Sequence, residues 1–258
     1  MKTRQIAAQL YTVRDHCRDA SGLAASLARV RAIGYTAVQV SGIGPIPAAE
    51  VRRLCDAEGL AVCATHEPGA DILGQPERCV ERLQALGCRL TAYPWPANID
   101  FADGAAIERL AAGLDVAGAV LRGAGCTLGY HNHALEFTRF RGATVLDYLY
   151  ARTAPENLVA ELDTYWVHCG GGDVVTWIGR MTGRLPFIHL KDCAVPPNKN
   201  EPTFAEVGAG NLDWRRIIPA AERAGCEWFI VEQDTCTGDP FAALQRSFEY
   251  LRENFTPA

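Results

Sequence analysis

The stretch WRRIIPAAERAGCEWFIVEQD, Trp214–Asp234, contains the repeating unit that decides the fold of this chain. A helical pattern of apolar residues runs from Trp214 to Ala224, and Gly225 follows it. Glycine just past a helix end takes the left-handed conformation that closes the last turn. The apolar, β-rich run Trp228–Val231 then predicts a buried strand, which ends at the polar sequence Glu232-Gln-Asp. The unit is therefore a helix, a glycine turn and a strand with acidic residues at its C-terminal end.

The same unit recurs along the whole chain. Strands are predicted at Ile6–Leu10, Ala37–Val40, Ala61–Thr65, Leu90–Tyr93, Cys126–Tyr130, Val159–Leu162, Phe187–Leu190 and Trp228–Val231. Helical patterns lie between them at Gly22–Ile33, Ala48–Ala57, Pro76–Ala85, Ile107–Gly123, Trp214–Ala224 and Phe241–Glu253. Glycine separates a helix from the next strand at Gly34, Gly59, Gly87, Gly125 and Gly225. Strands that alternate with helices in this way are parallel, and their starts are about 32 residues apart, the length of one such unit.

Parallel strands of this number form either an open doubly wound sheet or a closed barrel. A dinucleotide-binding sheet would carry G-x-G-x-x-G after its first strand, whereas this chain has QLYTVRD at residues 9–15. No linker rich in Pro, Gly or Ser divides the chain. We therefore predict the α/β class, with residues 1–258 forming a single (β/α)8 TIM barrel. The longest breaks, 94–103, 131–144 and 193–211, follow strands, where barrel enzymes carry their functional loops.

Composition and charge exclude several classes of protein. The 258 residues are 48% hydrophobic and carry a net charge of -5, without a run of Lys or Arg, so we expect no binding to nucleic acid. The N-terminus has no signal-peptide pattern, and no apolar stretch reaches the about 18 residues of a membrane span. The ten cysteines form no C-x-x-C pair and are expected to be reduced core residues. These features predict a cytoplasmic protein.

Polar residues follow the predicted strands, and in a barrel the C-terminal ends of the strands meet at one mouth. Asp163, His189 and Glu232 stand directly after apolar runs on three successive strands. Since neighbouring strands lie about 4.8 Å apart, these side chains can share one divalent ion. A set of carboxylate and imidazole ligands suits Mn²⁺, Mg²⁺, Zn²⁺ or Co²⁺.

Strand 5 is expected to supply the remaining ligand. It ends in Tyr-His-Asn-His at 130–133, so the ligand is His131, or else His133 or Glu136 from the following loop. A single residue of the set also has a structural interpretation, since Asp163 could cap the next helix. Glu161, two residues earlier, shares the inward face at a deeper position, where a structural hydrogen-bonding role and a functional role are equally compatible with the pattern.

At these residues the chain resembles the xylose-isomerase-like sugar isomerase/epimerase superfamily, which includes tagatose 3-epimerase, hydroxypyruvate isomerase and inosose dehydratase. The matching motifs are ELDTYW at 161–166, FIHLKD at 187–192, VGAGNLDW at 207–214 and IVEQD at 230–234. Members of that superfamily hold a divalent metal with an acidic residue after strand 5, Asp after strand 6, His after strand 7 and Glu after strand 8. The resemblance implies one ion, with Mn²⁺ or Zn²⁺ slightly favoured, held by His131, Asp163, His189 and Glu232. His131 replaces the acidic residue of the epimerases.

The resemblance implies a metal-dependent isomerase or epimerase that acts on a small keto-sugar or polyol ketone through an enediolate. Glu232 is the expected base, Glu136 stands close to the position of the second catalytic glutamate of the epimerases, and His66 is a candidate proton donor. Substrate-binding residues are expected at the mouth: Gln9, Tyr93, Trp95, His133, Trp166 and Lys191.

Two other functions use the same scaffold. A lyase of the inosose dehydratase type would share the metal and the enolate chemistry, and a non-catalytic sugar-binding barrel would keep only the fold. Endonuclease IV relatives are disfavoured by the acidic charge of the chain. The resembled superfamily includes homodimers and tetramers, so either assembly is compatible with the sequence.

Overall fold

The barrel strands are present in the computed structural model, which describes residues 1–257. They are β1 Ile6–Gln9, β2 Ala37–Val40, β3 Ala61–His66, β4 Leu90–Tyr93, β5 Thr127–His131, β6 Val159–Asp163, β7 Phe187–Leu190 and β8 Trp228–Val231. All are parallel to their neighbours and close in the order β1-β8-β7-β6-β5-β4-β3-β2. The α/β class and the closed TIM barrel predicted from the sequence are confirmed.

Helices surround the barrel. They are α1 Ala20–Ile33, α2 Ala48–Ala57, α3 Gly69–Gly74, α4 Pro76–Leu86, α5 Gly104–Gly123, α6 Val145–Arg152, α7 Thr164–Cys169, α8 Val174–Arg180, α9 Trp214–Arg223 and α10 Pro240–Phe255. The sequence pattern did not single out α3, α6, α7 and α8, which have six to eight residues each. Helices this short span barely two turns, so apolar periodicity is a weak signal for them. Three of them begin at a side-chain cap, provided by Thr144, Asp163 and Asp173.

The glycines between helix and strand adopt the predicted conformation. The φ angles of Gly34, Gly59, Gly87, Gly125 and Gly225 are 123°, 64°, 66°, 74° and 92°. Each turn leads directly into the next barrel strand, so the helices and strands join at the same end of the barrel.

Small side chains fill the lower barrel interior. The inner cluster consists of Ala7, Ala37, Cys63, Ala64, Ala92, Phe187 and Ile230. Phe187 is its largest member, and a Cβ atom at Gly129 would lie 2.7 Å from the Phe187 ring. Gly129 therefore makes room for the ring that closes the floor below the polar mouth.

Strand register brings the polar residues of three strands together. His131 of β5 pairs with Glu161 of β6, and Asp163 pairs with His189 of β7. Alternate residues of a strand face the same side, so Glu161 and Asp163 both point inward, at two levels. Glu232 directly follows β8 and completes the upper level.

Two small antiparallel hairpins extend from the mouth. One pairs Arg139–Phe140 with Ala143–Thr144 after β5, and the other pairs Asp192–Ala194 with Thr203–Ala205 after β7. Within residues 1–257, none of the helices combines the length and apolar character that crossing a membrane requires.

Candidate metal centre at the barrel mouth

Four buried side chains converge at the C-terminal end of the barrel. His131, Asp163, His189 and Glu232 each offer one ligand atom, and these atoms all lie within 4.8 Å of one another. His189 and Asp163 are fully buried, and the other two are exposed by less than 5%. The four residues belong to four adjacent strands, as the sequence predicted for a shared ion.

Asp163 has two roles in the structure. Its Oδ1 accepts the backbone N–H of Trp166 at 3.0 Å and so caps α7, which matches the structural interpretation of this residue. Its Oδ2 is buried and accepts no hydrogen bond of normal geometry from the described residues. The ammonium of Lys191 lies 3.0 Å from this oxygen, outside hydrogen-bonding geometry, and the position of Oδ2 beside two imidazoles and Glu232 suits coordination of a cation.

Lys191 is the cation nearest to these carboxylates. Its Nζ lies 3.0 Å from Asp163, 2.8 Å from Glu232 and 2.9 Å from Asp234. Burial lowers the pKa of Lys191, but these three carboxylates outweigh burial and raise it well above the ordinary value. Glu161 adds a fourth carboxylate to the mouth, where it faces His131 and His189, and this concentration of carboxylates favours a bound cation.

The pKa values of the acidic residues reflect this charge distribution. Burial raises the pKa of Asp163 to about 6, against the opposing effects of Lys191 and His189. Burial acts in the same direction on Glu232, but Lys191 and His189 hold its pKa well below the ordinary value. Glu232 is therefore anionic at neutral pH and can act as a ligand or a base.

The two histidines of the set differ in protonation. Burial, reinforced by the nearby His189, lowers the pKa of His131 to about 3, so its ring is neutral and ready to bind a metal. Burial also acts to lower the pKa of His189, but Glu161 and Glu232 outweigh it and raise the value to about 10. A metal bound at His189 would take the place of a proton.

A second layer of polar side chains lies below the four residues. The carboxylate of Glu161 lies 2.6 Å from His66 Nε2, 3.4 Å from His131 Nδ1 and 3.2 Å from His189 Nε2. Gln39 donates to Glu161 at 2.7 Å. His66, His131, Glu161 and His189 form a second group with metal-ligand spacing, which shares both histidines with the first.

A cavity of about 310 Å³ opens directly above the cluster. Its lining residues are Tyr11, Ser41, His66, Pro94, Trp95, His131, His133, Lys191, Glu232 and Asp234. A larger cavity of about 590 Å³ lies at the opposite end of the barrel, around the starts of the strands, and none of these residues lines it. The smaller cavity is thus the one that adjoins the reactive groups, at the end where TIM-barrel enzymes carry their active sites.

The predicted site residues fall into three groups by position. Six of them line the cavity: His66, Trp95, His131, His133, Lys191 and Glu232. Asp163 and His189 lie beneath it in the cluster. Gln9, Tyr93, Glu136 and Trp166 do not line it.

The residues outside the cavity have identifiable contacts. Gln9 is buried and donates to Gln39 at 2.9 Å, so it supports the lower layer. Tyr93 stacks on Tyr130, with ring centroids 5.6 Å apart. Trp166 lies behind the cavity wall, 5.3 Å from the ring of His133, and its buried Nε1 has no hydrogen-bond acceptor among the described residues.

Glu136 occupies a site separate from the cluster. Its Oε1 accepts the hydroxyl hydrogen of Tyr130 at 2.9 Å, and its Oε2 accepts the backbone N–H of His133 at 2.7 Å. Both oxygens of the expected second catalytic carboxylate thus hold the loop after β5. Burial raises the pKa of Glu136 to about 7, although these hydrogen bonds act in the opposite direction.

Sequence reasoning overlooked Gln39 and gave no specific role to Asp234. Gln39 is a fully buried polar residue in the otherwise apolar strand AVQV, a local signal that could have identified it. Asp234 belongs to the polar end of β8, but its pairing with Lys191 depends on the folded chain.

The loop after β7 is held by one carboxylate. Asp192 is fully buried and accepts hydrogen bonds from five donors: the backbone N–H groups of Cys193, Gly208, Gly210 and Leu212, and the indole N–H of Trp214. The motif VGAGNLDW thereby wraps around the end of β7. The loop carries Phe204, whose ring lies 5.6 Å from Lys191 Nζ and 5.7 Å from the ring of Trp166.

Comparison with known proteins extends the resemblance seen in the sequence. The model of the xylose isomerase-like TIM barrel family matches residues 27–254. A sugar phosphate isomerase/epimerase from Parabacteroides distasonis has a similar structure, with a TM-score of 0.81, 19% identity, and coverage of 99% of this chain and 96% of that chain. No protein of curated function matches the sequence.

Two epimerases are also similar in structure. An L-ribulose 3-epimerase has a TM-score of 0.73 and 16% identity, with coverage of 97% of this chain and 93% of that chain. A D-allulose 3-epimerase from Methylomonas sp. has a TM-score of 0.71 and 13% identity, with 98% of each chain covered. At these identities the likeness shows a common fold.

Proposed function

Because the chain belongs to the xylose isomerase-like TIM barrel family, we propose that it is a metal-dependent isomerase or epimerase of a small keto-sugar or related polyol ketone. The observation that carries this proposal is the convergence of His131, Asp163, His189 and Glu232 beside a cavity. The cavity volume of about 310 Å³ is within the range of small-molecule sites.

The donor set fits a divalent ion. Two imidazoles and two carboxylates suit Mn²⁺, Zn²⁺ and related ions, and Asp163 Oδ2, which accepts no hydrogen bond and lies 3.0 Å from Lys191 Nζ, is one available ligand atom. When bound, such an ion would act as a Lewis acid toward the carbonyl oxygen of a substrate.

Glu232 is the proposed base. Its Oε2 lies 2.8 Å from both His189 Nδ1 and Lys191 Nζ, and these contacts leave Oε1 for the cavity that the residue lines. The anionic carboxylate can remove a proton from the carbon next to the carbonyl group and return it later. Lys191, buried beside Glu232, holds this carboxylate in its charged form.

His66 is the proposed second proton-transfer group, which returns a proton to the substrate. It lines the cavity, and its Nε2 is fixed by Glu161 at 2.6 Å, so the ring has a defined orientation. Return of the proton to the same carbon from the opposite face gives an epimer, whereas transfer to the adjacent carbon gives an aldose–ketose isomer. Two of the similar structures are 3-epimerases, of L-ribulose and of D-allulose, which favours epimerisation.

The charges around the cavity favour an uncharged substrate. Lys191 contacts three carboxylates, and the Arg14 guanidinium donates to the backbone oxygens of Tyr11 and Asp234 at 2.8 and 3.0 Å. Both cations near the mouth are thus engaged within the protein. A phosphorylated sugar would bring its negative charge beside the carboxylates of Glu232 and Asp234, which line the cavity, so we propose a free sugar.

Solvent exchange tests this function. The protein, loaded with Mn²⁺ or Zn²⁺, is incubated in D₂O with a panel of keto-sugars, and we expect deuterium at the carbon next to the carbonyl group together with an isomer or epimer. Glu232→Gln should lose the exchange by about 10²-fold or more. Loss of water from the substrate would identify a dehydratase instead, and absence of exchange with every sugar in the metal-loaded protein would refute the proposal.

A further inference from the structure

We propose that Glu161 is the positioning residue of the metal centre, and that its buried carboxylate fixes the orientation and tautomer of both histidine ligands. The inference rests on the proposed metal site but concerns a residue outside the ligand set. Glu161 is fully buried one level below Asp163 on β6.

The two ring nitrogens of each histidine in the set face different carboxylates. His131 Nε2 lies 3.8 Å from Asp163 Oδ2, while its Nδ1 lies 3.4 Å from Glu161 Oε2 and has no closer hydrogen-bond partner among residues 1–257. His189 Nδ1 lies 2.8 Å from Glu232 Oε2, while its Nε2 lies 3.2 Å from Glu161 Oε1. Glu161 thus faces the nitrogen of each ring that points away from Asp163 and Glu232.

Both oxygens of Glu161 are occupied by donors. Oε1 accepts from the side-chain amide of Gln39 at 2.7 Å and faces His189, and Oε2 lies 2.6 Å from His66 and faces His131. A carboxylate has about four acceptor positions, and four groups surround this one. Asp163 Oδ2, by contrast, accepts no hydrogen bond, and its closest cationic contact is Lys191 Nζ at 3.0 Å. We therefore place the ion among His131, Asp163, His189 and Glu232, and Glu161 behind it.

Gln39 links Glu161 to the tautomer of His189. Because the Gln39 amide nitrogen donates to Glu161, its oxygen must face the other way, where it lies 2.6 Å from His189 Nε2. An amide oxygen only accepts hydrogen bonds, so His189 Nε2 carries a hydrogen and Nδ1 is left for the ion. His131 Nδ1 lies 3.4 Å from Glu161 Oε2 without forming a hydrogen bond, and we infer that Nδ1 carries the hydrogen and faces this carboxylate when Nε2 binds the ion.

The two groups of residues with metal-ligand spacing cannot both bind an ion at the same time if each histidine coordinates through one nitrogen. Both groups use His131 and His189, and a neutral imidazole offers one lone pair. Binding of an ion on the side of Glu161 would need the nitrogens that carry hydrogen in this arrangement. The hydrogen bond between His189 Nε2 and Gln39, together with the Glu161 carboxylate that faces His131 Nδ1, therefore selects one of two possible positions for the ion.

Metal titration of Glu161→Gln tests the inference. Glutamine keeps the shape of the side chain, but its amide NH₂ faces a group that itself donates, so one histidine loses its acceptor. Loss of such a supporting group lowers metal affinity by about 10–100-fold, and we expect a fall of this size in the affinity for Zn²⁺ or Co²⁺. Glu67→Gln is the matched control: Glu67 is a buried carboxylate that follows β3 and pairs with Arg82 at 3.1 Å, and its substitution should leave the affinity unchanged.

The visible absorption of bound Co²⁺ distinguishes positioning from ligation. At saturating Co²⁺, Glu161→Gln should keep the wild-type bands because the four ligands remain, whereas Asp163→Ala should lose them. Wild-type affinity in Glu161→Gln would overturn the inference, and so would complete loss of the bands, which would make Glu161 a ligand. A wild-type protein that binds no ion would overturn the proposed function as well.

Gln39→Leu provides the second variant should Glu161→Gln fail to fold. It removes the acceptor of His189 Nε2–H and the donor to Glu161, and leaves all four ligands in place. We expect ion affinity to fall about tenfold or more, and an unchanged affinity would again overturn the inference.

Discussion

Replacement of Glu136 by glutamine is expected to remove a pH dependence from the stability of the protein. Glu136 is fully buried, and burial raises its pKa to about 7 from the ordinary value of 4.5. The folded protein therefore binds a proton at Glu136 more tightly than the unfolded chain does. Stabilisation by this group is fully present below about pH 4.5 and is lost as the pH rises through about 7.

The magnitude follows from the difference between the two pKa values. Each pKa unit corresponds to about 1.4 kcal/mol, so the group changes the free energy of unfolding by about 3 kcal/mol across this range. Glutamine cannot titrate, and it can keep both contacts if its oxygen accepts from His133 N–H and its amide donates to the Tyr130 hydroxyl oxygen. The difference in unfolding free energy between Glu136→Gln and the wild type should therefore shift in favour of the variant by about 3 kcal/mol between about pH 4.5 and pH 8.

Urea unfolding at several pH values measures this difference. Glu81→Gln, at an exposed position on α4, is the control, and its difference from the wild type should stay nearly constant with pH. Parallel pH profiles for the wild type and Glu136→Gln would refute the reasoning, since Glu136 would then titrate alike in the folded and unfolded states. Because both oxygens of Glu136 accept hydrogen bonds within the loop after β5 and Glu136 does not line the cavity, we also expect the variant to retain activity within about tenfold. A loss of about 10²-fold or more would support the catalytic role predicted from the sequence.

Three further substitutions test the packing and the cavity. In Gly118→Ala the new Cβ would lie 1.8 Å from the backbone oxygen of Asn157, so we expect the free energy of unfolding in urea to fall by about 1–3 kcal/mol. The control Gly179→Ala places its Cβ where no atom lies within 4 Å and should raise this free energy by about 0.5–1 kcal/mol. Equal effects of the two substitutions would contradict the close contact at Gly118. Asp192→Asn places an amide NH₂ among five donors and should cost about 2–4 kcal/mol in thermal unfolding, and a variant as stable as the wild type would exclude this carboxylate as the anchor of its loop. Trp95→Ala removes a cavity wall that is 48% exposed, so steady-state kinetics should show a higher KM while unfolding changes by less than about 0.5 kcal/mol; an unchanged KM would place the substrate elsewhere.

The barrel was predictable because its signals are local. The run Trp228–Val231 is apolar over its whole length, as expected for a strand that is buried on both faces. Gly225 closes the turn before it with φ 92°, and the same device precedes four other strands. Short helices such as α7 escaped this reasoning: six residues give too few turns for an apolar pattern, although the possible cap at Asp163 was recognised.

The convergence of the site residues was predictable, but their individual contacts were not. Asp163 and His189 were expected at equal height because each follows an apolar run on its strand, and they are register partners. The contact between Gln39 and His189 joins residues 150 positions apart and arises only when the barrel closes. The direction of Glu136 also depends on the short 3-10 turn Leu135–Phe137, which sequence spacing does not reveal.

The most direct test of the central claim is the metal content of the protein after equilibration with Mn²⁺ or Zn²⁺, measured for the wild type beside His131→Ala and Asp163→Ala. We expect about one ion per chain in the wild type, as for a single mononuclear site, and a loss of binding in both variants. A wild-type protein without a bound ion, or variants that bind it as tightly as the wild type, would contradict the assignment of these residues to a metal centre.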